Sequence, residues 1–127
     1  MPTSRRHYRV TVADALKAHA QAREFGGRPG LRDAGLLESA LGRPYVGYYH
    51  SIAAKGAALV ESLIGNHAFI DANKRVGTLL LIQLIERSNW TLPASDDELG
   101  DMILAVARGD WRYDDLVPWL AARIRRP

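Results

Sequence analysis

Apolar residues recur along this chain mostly at intervals of three and four, the spacing of helices with one buried face, and strand-like alternation is hard to find. From Ser51 onward, Ile52, Gly56, Leu59, Val60, Leu63 and Ile64 trace such a face and predict an amphipathic helix ending near Gly65. Upstream, Thr11 is placed to cap a helix carrying Val12, Ala15, Leu16 and His19 on one side and ending near Phe25, where Gly26 and Gly27 supply the stop. Asp33 reads as the N-cap of a short helix, AGLLESALGR, closed by Gly42 and Pro44. The run VGTLLLIQLIER, Val76 to Arg87, is apolar on nearly every side and is expected to be the buried centre of the fold. Ser95 with Glu98 predicts a capping box for a helix through Ala107. A last helix is expected from about Asp114 to Ile124, with Pro118 in its first turn or causing a small kink. The segment YVGYYH, Tyr45 to His50, reads as an irregular or hairpin-like flap. The pattern predicts an all-α architecture of about six helices packed around one buried central helix, with the short flap ahead of the central helical hairpin.

Composition narrows the class. A chain of 127 residues with 47% hydrophobic and 24% charged residues is expected to form one domain, residues 1–127, with a core that needs no staples. The absence of cysteine excludes a disulfide framework, a thiol nucleophile and Cys-ligated zinc. The opening MPTSRRHYRV lacks a signal-peptide stretch, and the longest apolar run is far short of a membrane span, so a cytoplasmic address and no membrane partner are expected. A net charge of +3 raises the prospect of an anionic partner without choosing one. The cations are scattered, with Arg5, Arg6 and Arg9 at one end, Arg123, Arg125 and Arg126 at the other and most of the rest single, and they do not interleave with aromatics along one face. A nucleic-acid-binding module is therefore kept as a lesser alternative.

The densest chemistry lies in NHAFIDANKRVG, Asn66 to Gly77. One helix is predicted to end at its start and the next to begin near Lys74, so this loop sits at a helix N-terminus, where free amides and the dipole favour an anion. Lys74 and Arg75 put two cations where the dipole disfavours them, which points to an anion completing the site, most plainly a phosphate chain. His67 is the general-base candidate, because imidazole titrates near neutral pH. Asp71 is suited to hold Mg²⁺ beside phosphates. Asn73 can cap the following helix or donate to a phosphate oxygen, and Phe69 and Ile70 are expected to turn into the core as anchors. Taken singly, His67 reads as a helix C-cap or surface residue, Asp71 as a turn residue and Lys74 with Arg75 as a solvated face. Their conjunction favours a site. His67 and Asp71 alone make poor zinc coordination.

The string HAFIDANKR, His67 to Arg75, resembles the loop signature H-x-F-x-[DN]-[AG]-N-K-R of the death-on-curing (Doc) toxins, a branch of the Fic fold. GGRPGLRDAGLLESALGRP, Gly26 to Pro44, is similar to the family's N-terminal stretch. The resemblance implies an ATP-dependent protein kinase toxin of a toxin–antitoxin pair. It would use Mg²⁺ and transfer the γ-phosphate of ATP to a threonine hydroxyl of elongation factor Tu, halting translation. It further implies His67 as the base, Asp71 as the magnesium ligand, and Asn73, Lys74 and Arg75 as phosphate-binding residues. A Phd-like antitoxin with a tail that folds on binding is the implied partner. Fic adenylyltransferases, similar to H-x-F-x-[DE]-G-N-G-R-x-x-R, are the runner-up reading. Lys74 and Thr78 stand here where they carry Gly and a second Arg.

Overall fold

The computed structural model describes residues 7–127, so Arg5 and Arg6 of the basic N-terminal cluster lie outside the described residues. Six α-helices account for the architecture: α1 (Val12–Ala22), α2 (Ala34–Gly42), α3 (Ile52–Asn66), α4 (Asn73–Arg87), α5 (Asp96–Ala107) and α6 (Tyr113–Arg123). The all-α expectation holds, and the caps fall where short-range chemistry requires them. The Thr11 hydroxyl accepts the Asp14 N–H at 3.1 Å, and the Asp33 carboxylate accepts the Leu36 N–H at 3.0 Å. Ser51 caps α3 through the Ala54 N–H, and Ser95 with Glu98 forms the predicted capping box on α5.

The buried central helix is α3, not α4. Nearly all of α3 from Ile52 to Ile64 is buried, and it packs against α2, α4, α5 and α6. Its alanines and Gly56 allow that close approach. A methyl group at Gly56 would come within 2.9 Å of Leu81 on α4 and 3.3 Å of Leu120 on α6. By contrast, α4 buries Val76, Leu80, Leu81, Leu84 and Ile85 and leaves Leu79, Glu86 and Arg87 on the surface. Large apolar side chains mark α4 as hydrophobic, but small ones decide which helix its neighbours can surround.

The same logic rotates α1 away from its predicted face. Ala15, Ala18, His19 and Ala22 are buried, whereas Val12 and Leu16 are 40% and 47% exposed. Pro118 is also displaced from expectation: it sits in the second turn of α6, and the helix continues through it to Arg123. The flap is irregular, without a hairpin. It follows a 3-10 turn, Arg43–Tyr45, and is tied down by the Tyr45 hydroxyl, which donates to the Tyr8 carbonyl at 2.6 Å and accepts the Val10 N–H at 3.0 Å. At its far end the Arg43 guanidinium donates to the Tyr49 hydroxyl, Glu61 and Ser62.

Two isolated antiparallel bridges, Leu31 with Phe69 and Thr91 with Arg125, are the extended pairings among the described residues. One charged group lies in the centre: Lys55 on α3 is 4% exposed and its Nζ lies 2.7 Å from His7 Nδ1. Burial and the Lys55 charge together lower the His7 pKa to about 4. Among the described residues no helix is long and apolar enough to cross a membrane.

Candidate active site

The α3 helix ends at Asn66, and His67 takes the left-handed conformation (φ 50°, ψ 49°) that turns the chain out of the helix. That turn is held from outside. The Arg32 guanidinium donates to the Asn66 carbonyl at 3.0 Å and to the His67 carbonyl at 2.8 Å, placing a cation where helix carbonyls are unpaired. The loop that follows is zipped to the GGRPG segment. Ala68 O accepts the amides of Arg32 and Asp33 at 2.7 and 3.1 Å, and the Ile70 amide donates to Gly30 O at 3.1 Å. Gly30 has φ 115°, a backbone conformation that favours glycine, and a methyl group there would press at 2.9 Å on Ile70 Cδ1, the movable end of an exposed side chain.

Phe69 is the core anchor the sequence predicts, at 2% exposure. Ile70 is not: it is 44% exposed and lines the cleft, because its amide is held at Gly30 and the turn points its side chain outward. Phe69 stacks on the His19 ring, with centroids 4.2 Å apart and planes 8° from parallel. His19 Nε2 lies 3.2 Å from the Asp71 carbonyl, which only accepts, so this nitrogen carries the proton. Asn73 closes the loop on itself, with Oδ1 accepting the Phe69 N–H at 3.1 Å and Nδ2 donating to the Phe69 carbonyl at 2.9 Å. Its second amide hydrogen is left over from this brace.

These braces present an exposed carboxylate, Asp71. One oxygen accepts the Ala72 N–H at 2.8 Å and the other the Arg28 N–H at 3.2 Å. Those amides hold its pKa below the ordinary carboxylate value, with the Arg28 and Arg75 charges adding to the effect. Each oxygen keeps a lone pair for a further partner.

The next residue, Ala72, begins α4 in the left-handed region (φ 69°) without a side-chain cap. The Val76 N–H gives the first bond of the helix, to Ala72 O at 3.0 Å, so the amides of Asn73, Lys74 and Arg75 lie before it. No acidic residue stands in this first turn. Lys74 is exposed, and its ammonium makes no hydrogen bond or ion pair among the described residues. Arg75 reaches back to α1, donating to the Ala22 and Gly26 carbonyls at 3.3 and 3.1 Å.

One cleft of about 280 Å³ gathers His67, Asp71, Asn73, Lys74 and Arg75, the five polar residues singled out from sequence, with Ile64, Ile70, Ala72 and Ala107. Chemically the cleft combines a free imidazole, a charged carboxylate, helix-end amides and two cations. That set can bind a polyphosphate, hold a divalent cation at Asp71 and take a proton from a hydroxyl. The supporting residues His19, Arg32 and Gly30 were missed as site residues by sequence reasoning. His19 had one signal, a polar residue at a buried spacing; Arg32 had none, since its carbonyl partners lie more than thirty residues away in the chain.

Over 115 residues, 85% of this chain and 87% of the relative, the sequence is 35% identical to the protein named Toxin Doc of Mycolicibacterium smegmatis (strain ATCC 700084 / mc(2)155). Residues 9–85, which run from the segment before α1 through most of α4 and include the whole cleft loop, match the model of the Fic/DOC family. The chain belongs to the Fic/DOC family.

Proposed function

We propose that this protein is the toxin of a toxin–antitoxin pair and acts as a protein kinase, moving the γ-phosphate of ATP to a threonine hydroxyl of elongation factor Tu. The observation that carries the reading is the meeting of His67 and Asp71, in one cleft, with a helix start that has cations in place of acids. Membership of the Fic/DOC family and likeness to a protein named Toxin Doc support it.

The chain's own residues have distinct parts in the reaction. The amides of Asn73, Lys74 and Arg75, with the α4 dipole, hold the phosphate chain, and the Lys74 ammonium neutralises one of its charges. His67 accepts the hydroxyl proton as the threonine oxygen bonds to the γ-phosphorus. The bond from that phosphorus to its β-bridging oxygen breaks, ADP leaves with the electron pair, and the proton stays on the imidazole until solvent takes it. Asp71 fits a Mg²⁺ ligand, being a charged carboxylate with a lone pair free on each oxygen, and the ion would offset charge on the transferring phosphoryl group. Thr78 stands one turn beyond Lys74 and donates its hydroxyl to the Lys74 carbonyl at 3.0 Å. Thr78 thus adds no second cation along that face of α4, a departure from the adenylyltransferase signature and an agreement with the Doc-type loop that supports the kinase reading.

A Phd-like antitoxin is the proposed regulator, binding through a segment that folds on contact. The deciding experiment incubates the purified protein and elongation factor Tu with γ-labelled and, separately, α-labelled ATP. Label from the γ position alone is expected. Label from the α position alone would make the protein an adenylyltransferase instead.

A further inference from the structure

A second basic hollow lies toward the other end of α3. It has a volume of about 590 Å³ and is lined by His7 and Arg9 ahead of α1, by Tyr45, Tyr49 and His50 of the flap, and by Lys55 of α3. Lys55 and His67 stand twelve positions apart in the chain, about 18 Å along the helix, so this hollow is separate from the cleft. Four of its side chains are basic, and none of the described residues that line it is acidic. The groove between α1 and α4 is different. Asp14 and Glu86 line it together with Lys17 and Arg87, so its charges offset one another.

The walls of the basic hollow are held in place. Tyr45 is fixed by the two hydrogen bonds of its hydroxyl, and the Arg9 guanidinium lies 4.7 Å over its ring. That guanidinium makes no hydrogen bond or ion pair among the described residues, so its forked N–H donors are open to a ligand. The Tyr49 hydroxyl accepts the Arg43 Nε–H at 2.9 Å and keeps its own hydrogen to give. The buried Lys55 ammonium donates to His7 Nδ1 at 2.7 Å, which leaves the proton of the neutral His7 ring on Nε2. Beside them α3 begins with no acid in its first turn, and the positive end of its dipole adds to the same sign.

We infer that this hollow binds a small phosphate-bearing anion, with Arg9 as the forked donor, Lys55 as the buried charge, and Tyr49 and His7 as neutral donors. The donors come from the segment before α1, from the flap and from α3. Three directions suit the several oxygens of a phosphate better than the two coplanar oxygens of a carboxylate. The volume leaves room for an organic body beside the phosphate, against the rings of Tyr45 and Tyr49. The assignment is independent of the reaction proposed for the cleft.

The test titrates inorganic phosphate into the full chain carrying Lys74→Glu, which weakens the cleft as a rival site, and follows amide chemical shifts by NMR. Succinate, also a dianion, is the carboxylate arm, and melting curves check folding. Shifts at Arg9, His50 and Lys55 are expected to saturate with a Kd of about 1 mM or lower, and succinate should bind at least about fivefold more weakly. Adding Arg9→Gln, at an exposed position, should weaken phosphate by about tenfold. Lys55→Met should weaken it at least as much; because that site is buried and the variant can fail to fold, Arg9→Gln keeps the test decisive. No shift at these residues up to about 20 mM phosphate, shifts confined to residues 67–75, equal affinity for succinate, or unchanged affinity in Arg9→Gln would each overturn the assignment. All four leave the polyphosphate reading of the cleft standing, since Mg·ATP binding to the wild type tests that separately.

Discussion

The α5 and α4 helices begin in opposite ways. At α5 the Ser95 hydroxyl accepts the Glu98 N–H at 3.1 Å, the Glu98 carboxylate accepts the Ser95 N–H at 3.0 Å, and Asp96, Asp97 and Glu98 fill the first turn. At α4 there is no side-chain cap, no acid, and Lys74 with Arg75 in the first turn. Both helices carry the same dipole and the same set of leading amides. The α5 helix answers them with its own side chains, whereas α4 gives up that local stabilisation and, in the function proposed above, keeps its amides for a ligand. A rule of helix chemistry kept at one helix start and broken at the other is what singles out the α4 start as the proposed ligand site.

The largest effect is expected at the anchor that holds the α4 start in place. Phe69→Ala removes a buried ring stacked on His19 and should cost about 3–5 kcal/mol in denaturant unfolding. A loss below about 1 kcal/mol would mean that the loop does not depend on this contact. His67→Ala comes next. Phosphoryl transfer should fall by about 10²-fold or more while the melting temperature holds, since His67 is exposed and its imidazole is the proposed base. Undiminished transfer would remove it from the mechanism.

Exchanging the two helix starts is a smaller and sharper test. Ser95→Ala should destabilise the protein by about 1 kcal/mol and leave transfer unchanged. Lys74→Glu should do the reverse, stabilising the free protein by about 0.3–1 kcal/mol while abolishing its stabilisation by Mg·ATP. If Lys74→Glu keeps its response to nucleotide, the contrast between the two helices has no bearing on ligand binding.

The smallest effect is in acid. Glu98 is held below its ordinary pKa first by the Ser95 N–H and then by Arg123, and Asp71 by the Ala72 and Arg28 amides. A depressed carboxylate adds stability above its unfolded pKa, near 4, and that stability is lost as pH falls through the lower folded value. Asp71→Asn and Glu98→Gln should each flatten the stability–pH slope below about pH 4, read from melting curves. An unchanged slope in Asp71→Asn would show that its two amide bonds do not persist in solution.

Reading by sequence succeeded where the physics is local. The caps at Thr11, Asp33 and Ser95, and the helices they begin, depend on residues three or four apart, and the five polar residues of the cleft lie within nine positions of one another. It failed where packing decides. The alanines and Gly56 of α3 carry little hydrophobic signal, yet they let α4 and α6 close around it. The face of α1 turned inward is likewise its alanine face. The braces behind the cleft were hidden by distance along the chain, since His19 meets Asp71 across 52 residues and Arg32 meets His67 across 35. Ile70 was misjudged because its backbone, held at Gly30, sets where its side chain points.

The central claim is that the α4 start binds a polyphosphate, and its most direct measurement is thermal melting of the purified protein against rising Mg·ATP. The melting temperature should climb with ligand, by an amount corresponding to about 2.7 kcal/mol at a hundredfold excess over Kd, and should not move in Lys74→Glu. A wild-type melting temperature that stays flat at saturating nucleotide, with no heat of binding in a parallel titration, would contradict it.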